Sequence, residues 1–280
     1  AITDAAHRCQ WQITIRGYCL RSRCMMKSPL SYMGGKSRMV KTLVPLIHKI
    51  PHTCYCEPFC GDAWVLFGKD PGVSEVEVIN DLDGELVSFW RIVQKHYLPF
   101  LDLYRHAVVS RQMFEWHKME RPETLTDLER AARYYYLQRL SFGGKVKGRT
   151  FGYSPTSRPK LDITAVESDL LDVHQRLAHV TIEHLDGLDC IRRYDRKGTL
   201  FFVDPPYLQV AGYEVEFPKV RYQELADLLA GISGRFILTL NNHPQIREIF
   251  SRFKISEVET SYSTGLDSKQ RVTELMIVNR

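Results

Sequence analysis

Several hallmarks of other protein classes are missing from this chain of 280 residues. No apolar run approaches the roughly 20 residues that a membrane-spanning helix needs, so a membrane protein is not expected. The seven cysteines include no Cys-x-x-Cys pair, and a zinc site is therefore not expected either. No repeat with a period of about 20–50 residues is present. The 44% hydrophobic and 25% charged residues indicate a globular protein.

The first 24 residues differ in composition from the rest. They contain four Arg and no clear apolar segment, which is unlike a signal peptide. Met25 and Met26 follow directly, and a natural start at one of them would make 1–24 a leader outside the fold. The remaining chain is long enough to bury a core without disulfides, so we expect reduced thiols and a cytoplasmic protein.

Acidic residues are absent from Arg130 to Lys160, a stretch that carries eight cations. Aromatic side chains are interleaved with these cations, namely Tyr134, Tyr135, Tyr136, Phe142, Phe151 and Tyr153. Cations neutralise phosphates, whereas aromatic and Arg side chains can contact bases. A merely solvated basic face is the alternative, but the complete lack of acids favours a nucleic-acid partner.

Strand and helix patterns alternate along most of the chain. Apolar spacing predicts a helix at 36–49 with a kink at Pro45, and Asp83 is placed to cap a helix at 83–97. Further helices are predicted at 162–177, 222–230 and 244–253. Strands are predicted at 53–59, 76–82, 180–185, 200–203 and 235–240, with a closing pair at 255–261 and 274–279. This alternation predicts an α/β fold with a parallel, doubly wound sheet.

The region between the second and third strands interrupts this rhythm. It is polar and helical in pattern, and Thr126 with Glu129 forms a capping box for a helix that ends near 140. A Gly-rich basic loop or hairpin then begins at Phe142. We therefore predict an inserted module at 96–164, within a domain formed by 25–95 and 165–280.

The motif Asp204-Pro-Pro-Tyr207 directly follows the apolar run 200–203, at the edge of the sheet where ligands bind. Its two prolines stiffen the turn and remove two N–H donors, which leaves acceptors such as the Asp204 carboxylate and the Pro205 carbonyl. Two rigid acceptors could hold both N–H groups of a base amine and aim its lone pair at a methyl donor. Tyr207 could stack on a base taken out of the helix.

Two further motifs point to a cofactor with an adenosine group. Glu57-Pro-Phe-Cys-Gly61 ends the first strand, and Asp81 ends the second, where an acid can accept from ribose hydroxyls. The pattern is not Gly-x-Gly-x-x-Gly, so a dinucleotide is poorly supported. Tyr32-Met-Gly-Gly-Lys36 lacks the spacer of a phosphate loop, and a turn that brings Lys36 to a carboxylate is an equal interpretation.

Together these motifs resemble one known family, the Dam-type, α-group DNA adenine-N6 methyltransferases. The resemblance covers about 29–279 and depends on the order of the motifs. They are Tyr32-x-Gly-Gly-Lys36, Glu57-Pro-Phe-x-Gly61, Asn80-Asp81, Tyr136-Leu-x-Arg139 with Phe142-Gly-Gly, and Asp204-Pro-Pro-Tyr207.

This resemblance implies a Rossmann-like methyltransferase sheet with a mostly helical target-recognition insert. It implies that S-adenosyl-L-methionine methylates N6 of a flipped adenine in a short motif of double-stranded DNA, without a metal. A bacterial or phage protein acting as a monomer is expected, with restriction–modification as one setting.

The resemblance also implies roles for individual residues. The expected cofactor contacts are Tyr32, Lys36, Phe59, Gly61, Asp81, Asp186 and Asp204. The expected catalytic residues are Asp204, Pro205, Pro206 and Tyr207. The expected DNA contacts in the insert are Arg139, Lys145, Lys147 and Arg149.

Two residues depart from the family pattern Phe-x-Gly-x-Gly. Ala63 replaces the second Gly, and Asp62 brings a negative charge that either weakens cofactor binding or points into solvent. A catalytically impaired DNA-binding relic is therefore one alternative. A methyltransferase acting on cytosine N4, RNA or a protein amide is another.

Overall fold

The computed structural model describes residues 26–32, 34–209, 217–263 and 269–279, so the expected leader lies outside the described residues. Within these ranges, seven strands form one sheet. They are β1 (Cys54–Glu57), β2 (Val76–Asn80), β3 (Val180–Glu183), β4 (Thr199–Val203), β5 (Arg235–Asn241), β6 (Lys254–Ser263) and β7 (Lys269–Val278). Their order across the sheet is β3-β2-β1-β4-β5-β7-β6.

Five strands run parallel, and the closing pair is antiparallel. β1 pairs in parallel with both β2 and β4, whereas β7 pairs antiparallel with β5 and with β6. The strand order reverses between β1 and β4, and an open α/β sheet binds ligands at such a switch point, beyond the carboxyl ends of its strands. The predicted doubly wound sheet is confirmed, and the motifs after β1 and β4 flank the switch point.

Helices cover both faces of the sheet. They are α1 (Val40–Lys49), α2 (Trp64–Gly68), α3 (Gly84–Lys95), α4 (Tyr97–Asp102), α5 (Arg111–Met119), α6 (Asp127–Leu140), α7 (Val166–Leu177), α8 (Gly187–Tyr194), α9 (Lys219–Gly231) and α10 (Pro244–Ile249). Successive strand residues point to opposite faces, so Tyr55 joins one apolar cluster and Cys56 the other. Burial on both faces explains why β4 is apolar throughout.

The predicted helix starts are confirmed by their capping hydrogen bonds. Asp83 accepts from the amides of Glu85 and Leu86 at the start of α3. Thr126 and Glu129 form the predicted capping box of α6. Helix α8 was not predicted, because its eight residues offer only about two turns of periodicity.

The region predicted as an insert shares the core of the sheet domain. Helix α6 packs between α3, α4 and α5, and Tyr135 stacks on Phe89 of α3 with 5.4 Å between ring centroids. Tyr134, Tyr135 and Tyr136 are 1%, 1% and 3% exposed. The expectation that these three tyrosines contact bases is therefore wrong, because neighbouring helices surround α6 and bury the aromatic run.

The Gly-rich segment after α6 is a closed loop. An isolated antiparallel bridge between Ser141 and Phe151 closes it. Gly144 has a φ of +68°, and a Cβ at this position would lie 2.9 Å from the backbone of Ser31. Glycine is required there because the base of the loop packs directly against the segment that leads into the Tyr32 motif.

Candidate active site

A cleft of about 880 Å³, including its open mouth, lies at the switch point. It is lined by most of the residues that the sequence assigned to a cofactor. These are Tyr32, Phe59, Gly61, Asp81, Asp186 and Asp204. Pro205 and Pro206 of the expected catalytic turn also line it. Residues separated by more than 170 positions therefore meet at the carboxyl edge of the sheet.

Asp204 begins the turn after β4, and both of its carboxylate oxygens are engaged. Thr239 of β5 donates a hydrogen bond to Oδ1 at 2.7 Å, and Lys36 Nζ lies 2.7 Å from Oδ2. Burial raises the pKa of Asp204, and the contacts with Lys36 and Thr239 oppose that rise. The two contacts thus orient the carboxylate and partly offset the effect of burial on its pKa.

The Gly34–Gly35 turn brings Lys36 to a carboxylate, as one interpretation of its motif predicted. This carboxylate is the side chain of Asp204 and not a group of a ligand. The Lys36 ammonium also donates to the Gly34 carbonyl at 3.0 Å and lies 4.7 Å from the centroid of the Tyr207 ring. Lys36 is only 5% exposed. Its contacts place it behind Asp204, and it is not among the described residues that line the cleft.

Tyr207 is 9% exposed and belongs to the apolar cluster beneath the turn. Its hydroxyl donates to Glu274 Oε2 of β7 at 2.7 Å. Burial raises the pKa of Glu274, while Lys36 lowers it. Stacking of the Tyr207 ring on a base stays a prediction.

Two more side chains hold the turn, and the sequence analysis missed them. Tyr222 of α9 donates to the Pro206 carbonyl at 2.6 Å. Asn241 contacts the main chain of Leu208 twice, accepting at 3.2 Å and donating at 3.1 Å. The Asn pair that ends β5 was the signal for Asn241, whereas no local pattern marks Tyr222.

Asp81 joins the ends of β1 and β2. Its Oδ2 accepts from the Gly61 amide and its Oδ1 from the Asp83 amide, both at 3.0 Å. Burial raises the pKa of Asp81, although these amides lower it. Burial and the nearby Asp81 raise the pKa of Asp83 to about 6. Asp81, the acid predicted to contact the ribose, thus lines the cleft and also holds the loop that contains Gly61.

Asp186 lines the cleft beyond β3. Its Oδ1 accepts from the Leu188 amide at 2.9 Å and caps α8, and its Oδ2 is paired with Arg221 of α9. At Gly187, an added Cβ would lie 2.3 Å from Phe59 Cζ. The Phe59 ring is therefore seated against a position that only glycine permits.

The two departures from the family motif have clear structural consequences. Ala63 has a φ of +52°, the left-handed conformation that glycine favours, and it precedes α2. Asp62 lines the cleft and is 5% exposed, so the alternative that it points into solvent is wrong. Burial raises the pKa of Asp62 well above its usual range, as do the charges of Asp204 and Glu57.

The four expected DNA contacts lie in different surroundings. Lys145 and Lys147 are exposed on the Gly-rich loop, while Phe142 at its start and Tyr153 just beyond it are 50% and 67% exposed. Arg139 donates to the Pro29 and Lys160 carbonyls. Arg149 donates to Gln138 Oε1 at 3.1 Å, with its guanidinium 5.2 Å from the Tyr134 ring centroid. Arg149 thus makes its contacts within the insert and Arg139 also ties it to the segment before Tyr32, whereas the two lysines face outward.

Within the described ranges, no group of three or more His, Cys, Asp or Glu is arranged to hold a metal ion. None of the described helices combines the length and apolar character that crossing a membrane requires.

Comparison with known proteins identifies the family. The model of the D12 class N6 adenine-specific DNA methyltransferase family matches residues 32–264. The Type II methyltransferase M1.LlaDCHI of Lactococcus lactis subsp. cremoris is 22% identical over 272 residues, covering 89% of this chain and 93% of that protein.

Two solved structures show weaker similarity, each at 10% identity. A conserved hypothetical protein of Streptococcus pyogenes has a TM-score of 0.38, covering 88% of this chain and 96% of its own. A putative methyltransferase complexed with SAH has a TM-score of 0.36, covering 91% and 54%. Because the family model spans most of the sequence, this chain belongs to the D12 class N6 adenine-specific DNA methyltransferase family.

Proposed function

We propose that the cleft binds S-adenosylmethionine and that the Asp204–Tyr207 turn presents the N6 amine of an adenine to it. The observation that carries this proposal is the position of Asp204 on the cleft wall, with its carboxylate held by Thr239 and Lys36. Bound S-adenosylmethionine would supply an electrophilic methyl group on a sulfonium.

The residues along the cleft fit the parts of this cofactor. Asp186 would contact the adenine, and Asp81 would accept from the ribose hydroxyls, for which a carboxylate at the end of the second strand is suited. Gly61 lets the backbone approach the ligand closely, since its φ of +48° is unfavourable for other residues. Tyr32 and Phe59 would add contacts from the walls.

The turn itself would hold the reacting base. The Asp204 carboxylate and the Pro205 carbonyl would accept the two N–H groups of the amine, since Tyr222 already uses the Pro206 carbonyl. These acceptors would polarise the nitrogen and direct its lone pair toward the methyl group. The adenine must leave the duplex to reach them, and the ring of Tyr207 would stack on it.

The target-recognition role of 96–164 also stays a proposal. Lys145 and Lys147 would neutralise phosphates, and the exposed rings of Phe142 and Tyr153 are available for contact with DNA. Arg139 and Arg149 would act by fixing the loop on which the lysines lie. The name of the Lactococcus relative, a Type II methyltransferase, supports a short specific target.

The test is to incubate the full chain with S-adenosylmethionine and unmethylated DNA of mixed sequence, and then to map modified bases. We expect N6-methyladenine in one short motif. The matched variant is Asp204→Asn, since it removes the charge but keeps the shape of the side chain and an oxygen that can accept a hydrogen bond, both of which Asp204→Ala would lose. It should lower turnover by at least about a hundredfold while DNA affinity is retained. Methylated cytosine, or a folded protein without methylation, would contradict the proposal.

A further inference from the structure

The Asp62 carboxyl is buried without a complete set of partners. The amide of Trp64 donates to it, but among the described residues nothing donates a hydrogen bond to Oδ2. A buried carboxyl oxygen without a donor is unfavourable for folding. Such a group on the wall of a ligand cleft therefore indicates a ligand that supplies the donor.

The turn opposite Asp62 leaves room for this carboxyl. A Cβ at Gly35 would lie 2.3 Å from Asp62 Oδ2, so any other residue there would displace the acid. Gly34, Gly35 and Asp62 all line the cleft. The Gly34–Gly35 turn therefore packs closely against the Asp62 carboxyl at the wall of the cleft.

The charges of Asp62 and the groups around it do not balance. Glu57 of β1 and Asp204 of β4 are acids, and Lys36, from the segment before α1, is the cation that acts on it. That cation lies 2.7 Å from an oxygen of Asp204. Because Glu57 holds its proton up to about pH 8, the described part of the chain sets one cation against the two carboxyls of Asp62 and Asp204, which favours a cationic ligand group.

The order of the strands indicates which part of the cofactor reaches Asp62. Asp186 follows β3 and Asp81 follows β2, so the adenosine contacts would lie on that side of the cleft. Asp62 follows β1, and Asp204 follows the adjacent β4. The methionyl part, next to the reacting methyl group, would therefore extend toward Asp62. This part carries an α-ammonium group with three N–H donors.

We propose that Asp62 binds the α-ammonium group of S-adenosylmethionine and that this group is the missing partner of its carboxyl. The inference rests on the function proposed above and adds a positioning residue that the family pattern lacks. The charge that suggested an impaired enzyme would then contribute to cofactor binding.

A change of protonation is expected on binding. Burial raises the pKa of Asp62, Lys36 lowers it, and Asp204 and Glu57 raise it further. A bound ammonium would lower that pKa, so a carboxyl that carries its proton in the free protein would release it when the ligand enters. Asp81 and Asp83 also have raised pKa values and could release protons on binding. The share released by Asp62 is therefore the difference in proton release between the parent protein and Asp62→Asn.

The experiment compares ligands that differ only in the amino-acid part. The full chain and its Asp62→Asn and Asp186→Asn variants are titrated calorimetrically with S-adenosylhomocysteine, its decarboxylated analogue and 5′-methylthioadenosine. The analogue keeps the amine, whereas methylthioadenosine has neither amine nor carboxylate. Titrations in two buffers of different ionisation enthalpy count the protons released.

Asp62→Asn should bind S-adenosylhomocysteine and the decarboxylated analogue about 10–100-fold more weakly, and methylthioadenosine with unchanged affinity. Asp186→Asn should weaken all three ligands by a similar factor. Without ligand, Asp62→Asn should melt at the same or a higher temperature, because it removes a buried carboxyl. This result would also show that the variant folds.

Equal affinity of the parent protein and Asp62→Asn for S-adenosylhomocysteine would overturn the inference. So would an equal loss for methylthioadenosine, which would point to a general distortion of the cleft. If the parent protein bound none of the three ligands, the proposed function would fail and this inference with it.

Discussion

Lys36 Nζ lies 2.7 Å from Asp204 Oδ2, although the two residues belong to motifs separated by 168 positions. Lys36 also lies over the Tyr207 ring and acts on Glu274, the acid that accepts from the Tyr207 hydroxyl. One buried cation thus contacts both ends of the proposed catalytic turn. It also opposes the rise that burial causes in the pKa of Asp204.

Replacing Lys36 by Gln should therefore change the pH dependence of methylation. Because Lys36 lowers the pKa of Asp204, its loss should raise that pKa and move the acid limb of kcat/KM by about 1–3 units to higher pH. Lys69→Gln is the matched control, since Lys69 forms a buried pair with Glu77 at 2.7 Å. That variant should lose stability and keep the limb in place. An unshifted limb in Lys36→Gln would contradict this role.

Glu57 should make the protein less stable as the pH rises. Burial raises the pKa of Glu57 from 4.5 to about 8, even though Tyr55 donates to it at 2.7 Å. Since the folded state holds this proton more tightly than the unfolded state, the contribution of Glu57 is full below about pH 4.5 and is lost as the pH rises to about 8. The free energy of unfolding in urea should be lower at pH 9 than at pH 6.

The variant Glu57→Gln isolates that effect. It should reduce the difference in unfolding free energy between pH 6 and pH 9, while the exposed-site variant Glu75→Gln should leave it unchanged. An unchanged difference in Glu57→Gln would assign the pH dependence to the buried acids that line the cleft.

Ala63 should tolerate glycine better than any larger residue. Its left-handed conformation costs roughly 1–2 kcal/mol for an L-residue, whereas loss of its buried methyl costs about 0.8 kcal/mol. Ala63→Gly should therefore change the unfolding free energy by less than about 1 kcal/mol, in the stabilising direction. Ala63→Val should destabilise by more than about 2 kcal/mol.

Ala226→Val is the control for these variants, because Ala226 is fully buried but lies in the regular helix α9. It should show the cost of a larger side chain without the cost of the positive φ. Equal losses for the two valine variants would mean that the conformation of Ala63 adds no strain.

Lys145 and Lys147 should govern the salt dependence of DNA binding. If each neutralises one phosphate, the double variant to Gln should reduce the slope of log K against log salt by about 1.8. Lys49 and Lys95 are exposed at the ends of α1 and α3, and their double Gln variant is the control. A slope equal to that of the control would place the DNA contact elsewhere.

Much of the fold followed from local patterns. The strands around the switch point, the caps at Asp83 and Thr126 and the Gly-rich loop were all predicted within a few residues. Each depends on hydrogen bonds or side-chain alternation within a few positions. The burial of Tyr134 to Tyr136 was not predicted, because composition cannot show how many helices surround α6.

The sequence by itself determined the family, the alternation of strands and helices and the motifs at the strand ends. Parallel strands bring those motifs to one edge wherever they lie in the chain, so the presence of a site could be predicted. Only the tertiary structure decided that Lys36 pairs with Asp204, that Glu274 holds Tyr207 and that Asp62 faces the cleft. These contacts join distant segments, and their partners depend on strand register and side-chain direction, which no local spacing encodes.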